Sequence, residues 1–195
     1  MVAARRDNLT DDLLSELIRA ESDGDRLNLD ELRGLVAGFL MAGTDTTRNQ
    51  LAASVQVLCE HPDQWARLRE HPPELAMQAV EESMRHSPAA CIVPRAALED
   101  AEFGGYLFPP AGTFVFFANT FAANRDPPAI YDDADRFDIA RKDVPAILTF
   151  GGGAHYCLGA NLARRELAEA LVVLTRRLSA PSPHRSGPHG NPYSE

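Results

Sequence analysis

Apolar positions along this 195-residue chain repeat first at a helical period and then at a strand period, before a helical stretch returns near the end. Thr10 with Asp11 and Asp12 reads as a helix start, followed by Leu13, Leu14, Leu17 and Ile18 at helical spacing. Residues 22–26 form a polar turn around Gly24. Asn28, with Glu31 three residues on, then caps a longer helix. Its stripe of Leu32, Leu35, Val36, Phe39 and Leu40 resumes at Leu51, Val55 and Leu58 and stops before Pro62. A helix over 29–60 measures about 48 Å, enough to cross a domain. Pro62 and Pro73 suit the first positions of two further helices. The first carries Trp65 and Leu68; the second carries Ala76, Ala79, Val80 and Met84 and ends before Pro88. From 91 to 121 the pattern turns β-prone, broken at Gly104-Gly105 and at 109–112, with 113–117 the clearest strand. Residues 119–142 are irregular, and an amphipathic helix covers about 160–178. From 179 onward Pro, Ser, His and Gly dominate, and disorder is expected. The fold class is therefore mainly α with a small β portion.

Composition narrows the function classes. A formal net charge of −9 disfavours nucleic-acid and anionic-membrane partners. Cys59, Cys91 and Cys157 are odd in number and widely spaced, which argues against a disulfide framework and a C-x-x-C zinc site and fits a reducing cytoplasm. Cys59 and Cys91 are expected at inert core or near-core positions. No apolar run approaches a membrane span, and residues 1–10 carry no signal-peptide core.

The densest chemistry lies in residues 150–159: Phe150, three glycines, Ala154, His155, Tyr156, Cys157, Leu158 and Gly159. Consecutive glycines let the backbone turn through conformations closed to other residues and let a flat object approach. A cysteine entering a helix N-terminus meets unpaired N–H groups and the positive dipole end, which stabilise a thiolate. Taken alone, Cys157 reads as a buried structural cysteine; the whole run suits an iron ligand. A second candidate, residues 42–47 (Ala-Gly-Thr-Asp-Thr-Thr), sits in the middle of the long helix. Gly costs up to about 1 kcal/mol there relative to Ala, and Thr and Asp up to about 0.7 each. The segment reads either as a tolerated kink or as a functional opening of the helix. Glu82 and Arg85 face one side of a helix, which alone means a solvated pair.

The run at 150–159 resembles the proximal haem-binding loop of the cytochrome P450 family, F-G-x-G-x-H-x-C-x-G, with every fixed letter present. Residues 42–47 resemble the family's oxygen-activation motif, A-G-x-[DE]-T-T, and Glu82 to Arg85 its E-x-x-R pair. The resemblance spans about residues 11–178 and points to soluble bacterial members. It implies the C-terminal, haem-binding half of that fold over 1–178, with 179–195 a divergent tail. Haem b is the implied cofactor, with Cys157 as metal ligand and Phe150, Gly151 and Gly159 shaping its seat. Arg95 and His155 are implied to meet the propionates, since buried carboxylates need cationic donors. His155 as axial ligand competes with Cys157, which the glycine spacing and following helix favour. Asp45 and Thr46 are implied to act in oxygen activation, Asp45 relaying protons. Glu82, Arg85 and Arg136 are implied to form a buried structural network.

The implied activity is insertion of one oxygen atom from O2 into a small organic substrate, with electrons from a ferredoxin or flavoprotein reductase. Arg164, Arg165, Arg176 and Arg177 are candidates for its docking patch. The alternative is a non-catalytic remnant with weak or no haem binding. A half-fold would leave Phe39, Leu40 and Leu51 exposed. Pro72-Pro73, Pro109-Pro110, Phe116-Phe117 and Pro127-Pro128 each lengthen their segment by one residue relative to the resemblance, as in a decayed gene or an altered sequence. Within a strand the extra phenylalanine should force a bulge or flip the faces beyond it.

Overall fold

The computed structural model describes residues 2–22, 27–108, 113–117, 130–142 and 145–179. The expected turn at Gly24 and the expected disorder from 180 onward lie outside these residues. The chain divides into two compact units, Met1–Thr46 and Thr47–Glu195.

The first unit is helical. α1 (Val2–Arg6) packs on α2 (Leu13–Ser22), and Arg6 bridges to Glu21 at 2.7 Å. Asp12 caps α2 by accepting from the Ser15 N–H at 2.8 Å. Hydrogen bonds from Thr10 and Ser15 pull its carboxyl down to about 2. α3 (Leu29–Glu60) opens with the predicted reciprocal cap: Asn28 accepts from the Glu31 N–H, and Glu31 accepts from the Asn28 N–H. Ile18 and Leu32 are buried, whereas Leu40 is exposed, as expected of a half-fold. Phe39 is half-buried instead.

The second unit takes the rest of α3, then α4 (Pro62–Glu70) and α5 (Pro72–His86). α5 begins at Pro72, one residue before the predicted start, so the doubled prolines occupy its first two positions, where no N–H is needed. Two small antiparallel sheets follow. β1 (Val93–Ala96) pairs with β4 (Phe114–Phe117), and β2 (Ala101–Phe103) pairs with β3 (Tyr106–Phe108) across the Gly104-Gly105 turn. The β1–β4 register runs one to one from Val93 opposite Phe117 to Ala96 opposite Phe114, so the second phenylalanine brings no bulge within these four pairs. Two 3-10 turns, Leu148–Phe150 and Gly153–His155, lead to α6 (Ala160–Arg177).

α5 and α6 make the most extensive packing in this unit. The core joins Val57, Leu58, Trp65, Leu68, Val80, Met84, Phe137, Ile139, Leu167 and Leu171, and Leu51, expected to be exposed, packs against it. These are the apolar stripes predicted from spacing, closed by Phe137 and Ile139 from the irregular segment.

Candidate functional site

The cysteine loop is built by backbone geometry. Gly151 takes φ 74° and ψ −157°, a combination open essentially to glycine alone, and Gly153 takes φ 65°. With these bends the chain folds back, and the Cys157 N–H donates to the Phe150 carbonyl at 2.9 Å. The Tyr156 N–H donates to the Gly153 carbonyl at 3.0 Å. At the loop's entrance, the Thr149 hydroxyl donates to the Met84 carbonyl on α5.

Cys157 emerges as a free, exposed thiol three residues before α6, so the reading as a buried structural cysteine fails. Gly159 is the N-cap of α6, and a Cβ there would lie 3.9 Å from the sulfur. Cys59 is half-buried, and burial, with the charge of Glu60, pushes its thiol up. Cys91 is exposed, which corrects the expected near-core position.

This donor set fits a haem iron. It offers one soft sulfur, accessible and unpaired, on a loop where a Cβ at Gly152 would meet nothing within 4 Å. Among the described residues no group of three or more His, Cys, Asp or Glu could hold a metal ion. His155 is exposed, and no side-chain hydrogen bond joins it to another described residue. Arg95, half-buried on β1, donates to the Pro94 carbonyl at 2.8 Å; no hydrogen bond or ion pair links it to the loop among the described residues.

Two clusters around α5 brace this region. In the first, Arg85 is fully buried and donates to both Glu82 oxygens, at 2.7 and 2.9 Å. It also donates to the carbonyls of Ala134 and Arg136, at 2.7 and 3.0 Å. Its guanidinium lies 5.3 Å from the Tyr131 ring centre, and burial raises the Tyr131 phenol despite that cation. The third arginine differs from expectation. Arg141, 13% exposed, reaches Glu82 at 3.4 Å and donates to the Asp133 and Arg136 carbonyls. The Arg136 side chain is 63% exposed and faces Asp138 at 3.5 Å; Arg136 serves the network through its carbonyl. A side chain that reaches solvent cannot compensate a buried carboxylate, and Arg141 does so instead.

In the second cluster, Arg164 on α6 pairs with Glu81 on α5 and donates to the Tyr156 hydroxyl at 3.0 Å. Its guanidinium lies 4.4 Å from the Phe150 ring centre. Arg164 is thus committed internally and leaves the expected docking patch, whereas the Arg165 side chain is 73% exposed and, among the described residues, pairs with Glu169 at 3.9 Å. Sequence reasoning missed Glu81 and Arg141. No local spacing distinguishes Arg141 from Arg136, although both follow the same Asp-rich stretch.

Asp45 and Thr46 belong to the first unit and lie on an unbroken turn of α3. The helix does not open. The Thr46 hydroxyl donates to the Ala42 carbonyl at 2.7 Å, and Thr44 bonds the Leu40 carbonyl in the same way. This i−4 back-bonding satisfies the hydroxyls without breaking the ladder. Both Asp45 and Thr46 are exposed.

Comparison with known proteins bears on the whole chain. The cytochrome P450 family model matches residues 2–72 and 73–191, further at both ends than the motif-bearing residues 11–178. Luteothin monooxygenase of Streptomyces thioluteus is 48% identical over 172 residues, covering 88% of this chain and 41% of that protein. Nocardicin C N-oxygenase of Nocardia uniformis subsp. tsuyamanensis is 43% identical over 175 residues, 89% of this chain and 42% of its own length. The crystal structure of myxobacterial cytochrome P450 CYP267B1 in complex with myristic acid matches with a TM-score of 0.82 and 43% identity, over 91% of this chain and 43% of that one. The chain spans about two fifths of the length of these relatives. No helix among the described residues is long and apolar enough to cross a membrane. With an exposed thiol in a glycine-bent loop at the head of α6, and with a family match across both units, this chain belongs to the cytochrome P450 family and presents part of its fold.

Proposed function

We propose that this chain forms the haem-bearing part of a monooxygenase, with Cys157 as the axial protein ligand of haem b. The observation that carries this reading is the free, exposed Cys157 thiol, presented at the head of α6 by a loop with two left-handed glycines. Bound haem supplies dioxygen binding and oxygen transfer, and a thiolate ligand favours O–O cleavage, an effect for which this family is the standing example. In the balanced reaction one oxygen atom enters a small organic substrate and the other leaves as water, with two electrons and two protons consumed. A ferredoxin or flavoprotein reductase supplies the electrons. Two relatives that carry oxygenase names support this class of reaction.

The chain's own residues divide the remaining work. Gly151 and Gly153 hold the loop turned so that the sulfur faces outward. Phe150 anchors the start of the loop against the hydrophobic core, and Gly159 keeps the space next to Sγ clear of a side chain. Arg95 as a cation and His155 through a ring N–H would donate to the propionates. The Thr46 hydroxyl, donating to Ala42, keeps its lone pairs available to accept a hydrogen bond, and the Asp45 carboxylate holds and passes protons.

Haem reconstitution followed by a ferrous–carbon monoxide difference spectrum tests the reading. The parent chain and His155→Ala should show a thiolate-type band, and Cys157→Ala should not. An imidazole-type band, or none, in the parent chain would favour the non-catalytic remnant.

A further inference from the structure

The cysteine loop is irregular, glycine-rich and largely exposed, and loops of that kind open easily unless something external closes them. Phe150 packs against the core and Thr149 bonds Met84 at the entrance, and one charged side chain reaches the loop from α6. Arg164 lies eight residues beyond Tyr156, on the face of α6 that packs against α5. Its Nε and Nη2 both donate to the Glu81 carboxylate, so the guanidinium plane is fixed from α5. From that plane Nη1 reaches the Tyr156 hydroxyl, and the cation lies over the Phe150 ring. The Phe150 and Tyr156 rings are themselves 6.4 Å apart. Phe150 accepts the Cys157 N–H, and Tyr156 immediately precedes the cysteine. One guanidinium therefore grips both ends of the loop that carries the sulfur.

The grip needs an arginine. A lysine ammonium is a point charge that cannot serve a carboxylate, a hydroxyl and a ring from one plane. Burial opposes the charge on Arg164, but the hydrogen bonds to Glu81 and Tyr156 outweigh it and raise its pKa above the ordinary arginine value. Arg165, its neighbour in sequence, has none of these contacts and serves as an internal control.

We infer that Arg164, anchored by Glu81, is a positioning residue for the Cys157 thiolate: it closes residues 150–157 across Phe150 and Tyr156 and holds the sulfur in place before any ligand binds. This rests on the reading of Cys157 as the haem ligand, and the experiment separates the two ideas.

The first measurement uses the haem-free chain and follows amide hydrogen exchange. Arg164→Lys and Arg164→Met should speed exchange at Tyr156 and Cys157 about tenfold, the loss expected for a charge-assisted hydrogen bond and a cation–ring contact together. Leu167 and Leu171, in the interior of α6, should change by less than about threefold, which separates local opening from global unfolding. Tyr156→Phe keeps the Arg164–Glu81 pair and should give a smaller loss at the same amides, and Arg165→Lys should give none. Unchanged exchange in Arg164→Met, or equal acceleration in loop and helix interior with no loop effect in Tyr156→Phe, would overturn the proposal. The second measurement adds haem and records the ferrous–carbon monoxide spectrum. A smaller thiolate-type fraction in Arg164→Lys than in Arg165→Lys supports positioning, and equal fractions overturn it. If the parent chain itself gives no thiolate-type band, the ligand reading fails while the exchange result still decides whether Arg164 closes the loop.

Discussion

Two adjacent carboxylates on α5 each hold down an irregular segment, and they do so in opposite environments. Glu82 is 3% exposed and, through Arg85 and Arg141, ties down residues 131–141 with bonds that end mostly on backbone carbonyls. Glu81 is half-buried and works through Arg164 on side chains of the cysteine loop. Burial makes the first cluster an all-or-none anchor, since each missing partner strands a charge in a poorly solvated site. Partial exposure makes the second a restraint that can weaken without collapse, around a sulfur that, as the proposed haem ligand, must stay open. Structure and chemistry are thus kept on two sides of one helix.

The largest expected effect tests the buried side. Arg85→Met removes both short charged bonds to the buried Glu82, which keeps Arg141 at 3.4 Å and the Asp138 N–H, and takes a donor from the Ala134 and Arg136 carbonyls; urea unfolding should show a loss of about 3–5 kcal/mol. A loss under about 1 kcal/mol would mean that the anchor is no stronger than a surface pair.

Arg141→Gln should cost about 1–3 kcal/mol in the same assay, because Glu82 and three carbonyls lose a charged donor. Arg136→Gln, exposed beside Asp138, should stay within about 0.5 kcal/mol. Equal costs for the two would return Arg136 to the network.

On the cysteine side, Gly151→Ala should destabilise by about 1–3 kcal/mol, since its backbone conformation excludes a Cβ. Gly152→Ala should be neutral within about 0.5 kcal/mol, for its backbone is extended and the space around it open. Thermal denaturation of the pair checks whether the loop's shape depends on particular glycines or on all three.

The smallest change in stability is expected at the residue proposed to hold the haem iron. Cys157→Ala should leave the unfolding midpoint nearly unchanged, within about 0.5 kcal/mol, because the thiol is exposed. A large loss in the haem-free chain would show that the sulfur is structural after all, and would erase the contrast with Glu82.

Much of this was legible in the chain because it is local. Helix spacing, the Asn28–Glu31 cap, proline starts and the Gly104-Gly105 turn act within a few residues, and the structure has each of them near its predicted place. Residues 150–159 announced a tight loop presenting a cysteine at a helix start for the same reason. The failures were equally specific. Five poor helix formers in a row suggested a kink or an opening in α3, yet Thr44 and Thr46 bond carbonyls one turn back and the helix continues. The doubled phenylalanine called for a bulge or a flip of the faces beyond it; β1 and β4 pair without a bulge, and the residues beyond 117 lie outside those described.

By itself, then, the sequence determined the elements, the cysteine loop and the Glu82–Arg85 pair, all of which arise from neighbours within about one helical turn. Tertiary structure alone decided which arginine joins Glu82 from 59 residues away, and that Arg164 turns inward to Glu81, 83 residues distant, instead of outward to solvent. Several arginines in this chain could supply the charge. Only the packing of α5 on α6, and of residues 131–141 against α5, determines which guanidinium comes within hydrogen-bond reach, because that selection depends on distance and burial rather than on residue type.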